Sequence, residues 1–100
     1  VLRAFARYMH RHRRQADGSL RAADNWQKGI PPEAYESSLL RHVLTAWLLW
    51  RGYAPEPERV GSEWVTPTLE DALCGILFNA SGLLFELLVR PDGVRPRRPQ

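Results

Sequence analysis

Two apolar stretches at helical spacing, over residues 39–50 and 69–88, leave this chain few ways to fold. In the first, Leu39, Leu40, Val43, Leu44, Trp47, Leu48 and Trp50 cover more than half of a helix circumference. In the second, Leu69, Leu73, Ile76, Leu77, Ala80, Leu83, Leu84, Leu87 and Leu88 do the same. A helix apolar on that much of its surface must bury more than one side. The spacing therefore predicts helices packed against each other and against something further.

The boundaries of both helices are written in the chain. Pro31-Pro32 opens the first of them, proline being tolerated in a first helical turn, and Gly52 stops it. Thr68 is an N-cap for the other, with Glu70 and Asp71 in its first turn, and the pattern runs to about Val89 before Pro91-Asp92-Gly93. Nearer the start, Leu2, Phe5, Ala6, Tyr8, Met9 and His12 recur at three- and four-residue steps. That predicts an amphipathic helix over 2–15 with Arg3, Arg7, Arg11 and Arg14 on another face. Residues 52–67, with Pro55, Pro57, Gly61 and Pro67, keep no period and read as a crossing loop. The expectation is an all-α, three-helix bundle over residues 1–90, followed by a basic disordered tail over 91–100.

One hundred residues give one domain with a small core, so completion by a homo-oligomer is expected. The net charge is +3 and the pI about 9.6, but the arginines gather at the two ends of a balanced middle. Such a distribution fits weak, nonspecific nucleic-acid contact through the termini more than base readout. Cys74, alone, excludes an internal disulfide and reads as a buried structural thiol. The apolar runs are broken by Arg41-His42, Arg51 and Asn79, which argues against a bilayer span, and no signal peptide is visible. The expected location is the cytoplasm.

Chemistry concentrates in a few places. The loop Asp24-Asn25-Trp26-Gln27-Lys28-Gly29-Ile30 spends an amide, an indole and an ammonium just before a helix, enough to meet an anionic or planar ligand. Asp71, Gly75, Asn79, Gly82 and Glu86 form a small-and-polar seam on an otherwise apolar helix. Two glycines there cost about 1 kcal/mol each against alanine and need a reason. The reason is either close helix approach, with Asn79 a satisfied core amide, or a ligand or metal channel with Asp71 as an oxygen donor. Ser38, Arg41, His42 and Thr45 make a matching line on the preceding helix. Arg41 is either an ion-pair partner of Asp71 or Glu86 or a bidentate phosphate ligand. His42 is a proton carrier, a metal ligand or a core histidine. Glu33 and Glu36, three apart, are a weak Glu-x-x-Glu magnesium signal. His10 and His12, two apart, cannot share a helix face, so no metal pair is expected there.

The order Asn25-Trp26-Gln27-Lys28-Gly29, then Arg41-His42 and Trp47, then Glu70-Asp71-Ala72 and Leu77-Phe78-Asn79 resembles one family over residues 20–88. It is the phage-associated domain named for the N-terminal part of dATP/dGTP diphosphohydrolases. The resemblance implies a small all-helical domain, phage-encoded and working in a host cytoplasm. It implies a Mg²⁺-assisted pyrophosphohydrolase, or a binding domain, for purine deoxynucleoside triphosphates. Asn25 and Trp26 would then hold base or sugar, and Lys28 and Arg41 the phosphates, beside Asn79. Asp71 with Glu36 or Glu70 would hold the magnesium, and His42 would move protons or orient a carboxylate. Where many members carry histidines early in the last helix, this chain has Glu70 and Asp71. The alternative is a non-enzymatic helical module for oligomerisation or interaction, which four tryptophans and wide apolar faces favour.

Overall fold

The computed structural model describes residues 1–13 and 29–94. It contains three helices, α1 (Leu2–Arg11), α2 (Pro32–Trp50) and α3 (Leu69–Val89), and a short antiparallel hairpin between the last two. Its strands are β1 (Glu58–Val60) and β2 (Glu63–Val65).

The helix limits have local causes. In α3, the Thr68 hydroxyl accepts from the Asp71 NH at 3.1 Å, and the Asp71 carboxylate accepts from the Thr68 NH at 3.2 Å. This is a reciprocal capping box, which satisfies two otherwise orphan donors. Helix α2 begins at Pro32 and ends in a left-handed Gly52 with φ +86°. There the Gly52 NH reaches the Leu49 carbonyl at 3.0 Å and the Tyr53 NH the Leu48 carbonyl at 2.9 Å, a Schellman closure. Helix α1 stops at Arg11, short of the expected residue 15. His12 caps it, and its Nδ1 donates to the Tyr8 carbonyl at 2.9 Å.

The hairpin corrects the reading of 52–67 as loop throughout. Gly61, at φ +63°, and Ser62 form a two-residue turn between Val60 and Glu63. Glu58, Val60, Glu63 and Val65 share one face, and the cross-strand pair Arg59 and Trp64 takes the other. Strands of three residues are too short to display a period. At the C-terminal end, Pro91–Gly93 form a 3-10 turn, so part of the expected tail is ordered; residues 95–100 lie outside the described chain.

Helices α2 and α3 pack antiparallel through their small-residue seam. A Cβ on Gly75 would lie 2.6 Å from the His42 ring, and one on Gly82 would overlap the Tyr35 ring. Seven-residue steps in opposite directions thus pair Tyr35 with Gly82 and His42 with Gly75. The seam is a pair of notches filled by aromatic rings, the close-approach alternative. Asn79, 4% exposed, donates from Nδ2 to the Gly75 carbonyl at 2.7 Å, as a satisfied core amide. Cys74 is buried on the side of α3 that faces α1, and burial pushes its thiol pKa up, so it stays a structural thiol.

The Tyr35 hydroxyl is buried, with no hydrogen-bond partner among the described residues. Burial, and then the Glu86 carboxylate, raise its pKa, and the Arg90 guanidinium offsets part of this. An unmade buried hydrogen bond costs about 1–3 kcal/mol, so Tyr35→Phe is expected to raise stability by about 1 kcal/mol in urea unfolding. A loss of 1 kcal/mol or more would reveal an unrecognised partner.

Few large side chains are enclosed. The buried hydrophobic residues among those described are Tyr8, Tyr35, Ala46, Ala72 and Cys74, of which Tyr35 is the large side chain fully enclosed. Leu40, Val43, Leu44, Trp47 and Trp50 on α2 are all exposed, Trp50 by 78%, as are Leu73, Leu77, Leu84, Leu87 and Leu88 on α3. Against the expectation, α3 is long and apolar enough to cross a membrane, with 21 residues and a mean hydropathy of 1.9 over its apolar window. It is the one such helix among the described residues.

Candidate functional site

A cleft of about 350 Å³ opens where α1, the hairpin and the start of α3 meet. Its floor carries Tyr8, His42, Pro67 and Ala72, all buried. Glu58, Val60, Glu63 and Val65 reach it from the inward face of the hairpin, with Ser62 at the turn. His10, Arg11 and His12 line it from the end of α1, and Asp71 from the first turn of α3.

Two of its groups are fully committed. The Arg11 guanidinium donates to Asp71 Oδ1, an ion pair linking positions sixty residues apart, while Oδ2 belongs to the capping box. Burial would raise the Asp71 pKa, but the hydrogen bonds from Arg11 and Thr68 outweigh it and hold the carboxyl below its usual value. Tyr8 is stacked on His12, with ring centroids 4.0 Å apart. Its pKa is pushed up to about 12 by burial first and then by Glu58 and Asp71, so it is a neutral phenol.

His42 differs from these. It is 7% exposed, its ring sits against Gly75, and neither ring nitrogen has a hydrogen-bond partner among the described residues. Burial lowers its pKa; Glu58 pulls the other way, and Arg41 and His12 add to the lowering. Its folded pKa thus lies below the unfolded value of 6.5. Between those two values the unfolded chain binds more protons, so stability falls as pH drops through that window. The melting temperature is expected to fall on acidification below about pH 6.5, and less so in His42→Gln. Equal slopes for both proteins would remove His42 as the cause.

The other residues singled out from the sequence scatter. Arg41 is exposed, and the partners expected for it are taken: Asp71 by Arg11, and Glu86 by Arg90 at 3.0 Å. Arg41 still acts electrostatically on Tyr8 and His42, so its flank of α2 faces the cleft side. Asn79 lies in the α2–α3 interface and does not line the cleft. Glu36 stands early in α2 and Glu70 and Asp71 early in α3, hence at opposite ends of the antiparallel pair. One chain does not gather these three carboxylates, and no group of three potential metal donors occurs among the described residues. Asn25, Trp26 and Lys28 lie outside the described residues; Gly29, which follows them, packs against the Arg90 guanidinium.

His42 and Asp71 are therefore the two sequence-chosen residues that share a cleft. Sequence reasoning missed Tyr8, His12, Glu58 and Glu63. The available signal was Arg59-Val60-Gly61-Ser62-Glu63-Trp64-Val65, two β-prone segments about a Gly-Ser turn, which places Glu58 and Glu63 on one face. Compared with known families, curated proteins and solved structures, the chain matches no family model, no curated protein and no solved structure.

Proposed function

We propose that the chain is a helical assembly domain, in which the α2–α3 pair of one copy packs on that of a second copy. The observation that carries this is the stripe Leu40, Val43, Leu44, Trp47 and Trp50, exposed along α2 at steps of three and four. At 100° per residue it lies roughly 110° around the helix from the Tyr35, His42 and Ala46 face. Arg41 is on the other flank, so the stripe turns away from α1 and the cleft.

The stripe and the exposed leucines of α3 are the apolar surface available to a second copy, and a standard stable interface buries ~800 Å² per partner. A second copy is favoured over a bilayer because α2 carries Glu33 and Glu36 in line with its stripe, and a lipid-facing helix pair would have to submerge them. Two copies facing each other give an isologous, two-fold arrangement in which each stripe meets its own kind.

The test is a pair of charge substitutions. Leu44→Glu combined with Trp47→Glu is expected to convert a dimer into monomers, read as mass by light scattering. An unchanged mass, or a wild-type chain that sediments with lipid vesicles instead of self-associating, would overturn the reading.

One observation favours a second reading, a deoxynucleotide-binding or hydrolysing domain: His42 and Asp71 line the same cleft. Against it, both Asp71 oxygens are engaged and the Glu36/Glu70/Asp71 set is divided between the two ends of the helix pair. Release of pyrophosphate from dATP or dGTP with Mg²⁺, lost in Asp71→Ala, would support it. No turnover and no metal-dependent thermal shift with any dNTP would end it.

A further inference from the structure

The charge of the cleft runs against that of the chain. The whole protein is +3, yet among the described residues the cleft is lined by three carboxylates, Glu58, Glu63 and Asp71, and by a single guanidinium, Arg11. Arg11 and Asp71 neutralise one another. Glu58 and Glu63 remain, on the inward face of the hairpin, without a hydrogen bond or ion pair to any described residue. Glu58 is half-buried and Glu63 exposed, so both carboxylates are open to a ligand entering the cleft.

A second, independent feature points the same way. His42 lines the cleft, more than nine-tenths buried, with both ring nitrogens unpartnered among the described residues. A neutral imidazole has one N–H and one lone pair to offer. Val60, Val65, Pro67 and Ala72 give the cleft an apolar wall suited to a carbon chain or ring, beside the polar His10, His12 and Ser62.

We propose that this cleft is a binding site for a small organic cation, an amine or guanidinium on a short carbon body. Glu58 and Glu63 accept hydrogen bonds from the cationic head, the apolar wall receives the carbon body, and the His42 ring nitrogen accepts a further N–H. The size agrees: about 350 Å³ is at the small end of ligand pockets. Among the described residues, the one guanidinium of the lining is already paired with Asp71, which leaves the two glutamates as its free charges. A metal ion is disfavoured because no three donors stand together among the described residues. The site is independent of self-association, since it lies on the opposite flank from the apolar stripe.

Agmatine is a suitable probe, with a guanidinium and an amine separated by four methylenes. Titrated into the full chain, it is expected to bind saturably and to move the His42 ring resonances in a two-dimensional NMR spectrum. Glu58→Gln should weaken binding by about tenfold or more, the worth of one charge-assisted hydrogen bond, and Glu63→Gln should weaken it in the same direction. Glu56→Gln, outside the cleft, should leave it unchanged. If Glu58→Gln misfolds, Glu63→Gln and the His42 resonances still decide the matter. No change at His42 with millimolar agmatine, or affinities equal in wild type and the two cleft variants, would overturn the proposal. So would a His42 response to dATP with none to agmatine, which would give the cleft to nucleotides.

Discussion

Gly82→Ala is expected to destabilise the protein by about 3 kcal/mol, although in an open helix the same change would stabilise it by about 1 kcal/mol. The sign is what decides. A Cβ at position 82 would overlap the Tyr35 ring, which is 1% exposed and cannot swing out. Either the ring leaves its notch or the two helices separate, and each forfeits packing along the whole α2–α3 contact. For a domain of this size, ~3 kcal/mol corresponds to a fall in Tm of roughly 12–24 °C. Gly75→Ala should act in the same direction through the His42 ring. Tyr35→Leu, which vacates the notch, should recover part of the loss in the Gly82→Ala background while costing stability alone. Additive effects of the two substitutions would mean that ring and glycine do not meet.

The second large effect concerns concentration. Among the described residues, the buried hydrophobic ones are two tyrosines, two alanines and a cysteine, while leucines on both long helices and the tryptophans of α2 are exposed, and under the proposed assembly a second copy supplies the missing core. Folding and association are then one process, and Tm depends on protein concentration by mass action. Dilution by a factor of a hundred should lower Tm by several degrees, because the free energy available to a dimer falls by about 2.7 kcal/mol. The Leu44→Glu and Trp47→Glu variant should melt earlier than wild type and lose the concentration dependence altogether. A wild-type Tm that is constant over that range would mean the monomer is self-sufficient.

How much of this was legible depends on the range over which each signal acts. Proline at the start of α2, glycine at its end and the Thr68–Asp71 box are local devices, and each fixed a boundary where the structure has it. The hairpin was not legible by periodicity, because three residues cannot show alternation, and the surrounding prolines masked its Gly-Ser turn. The seam on α3 was visible as spacing, but spacing alone cannot distinguish a notch filled by Tyr35 and His42 from one left open for a ligand. Asp71 illustrates the limit best. Its place in a first turn was readable from Thr68, whereas its ion-pair partner lies sixty positions away on α1 and follows only from how the helices stack. The loop Asp24–Lys28, the most chemically loaded stretch of the sequence, lies outside the described residues. The cleft that the fold does display is built instead from α1, the hairpin and the α3 cap.

Sedimentation equilibrium of the unmodified chain at micromolar concentration tests the central claim most directly. A stripe covered by a second copy gives a folded, helical species with twice the chain mass of 11.5 kDa, about 23 kDa, in reversible exchange on dilution. A cooperatively folded species of 11.5 kDa, holding its apolar stripe in water with no partner, would contradict it.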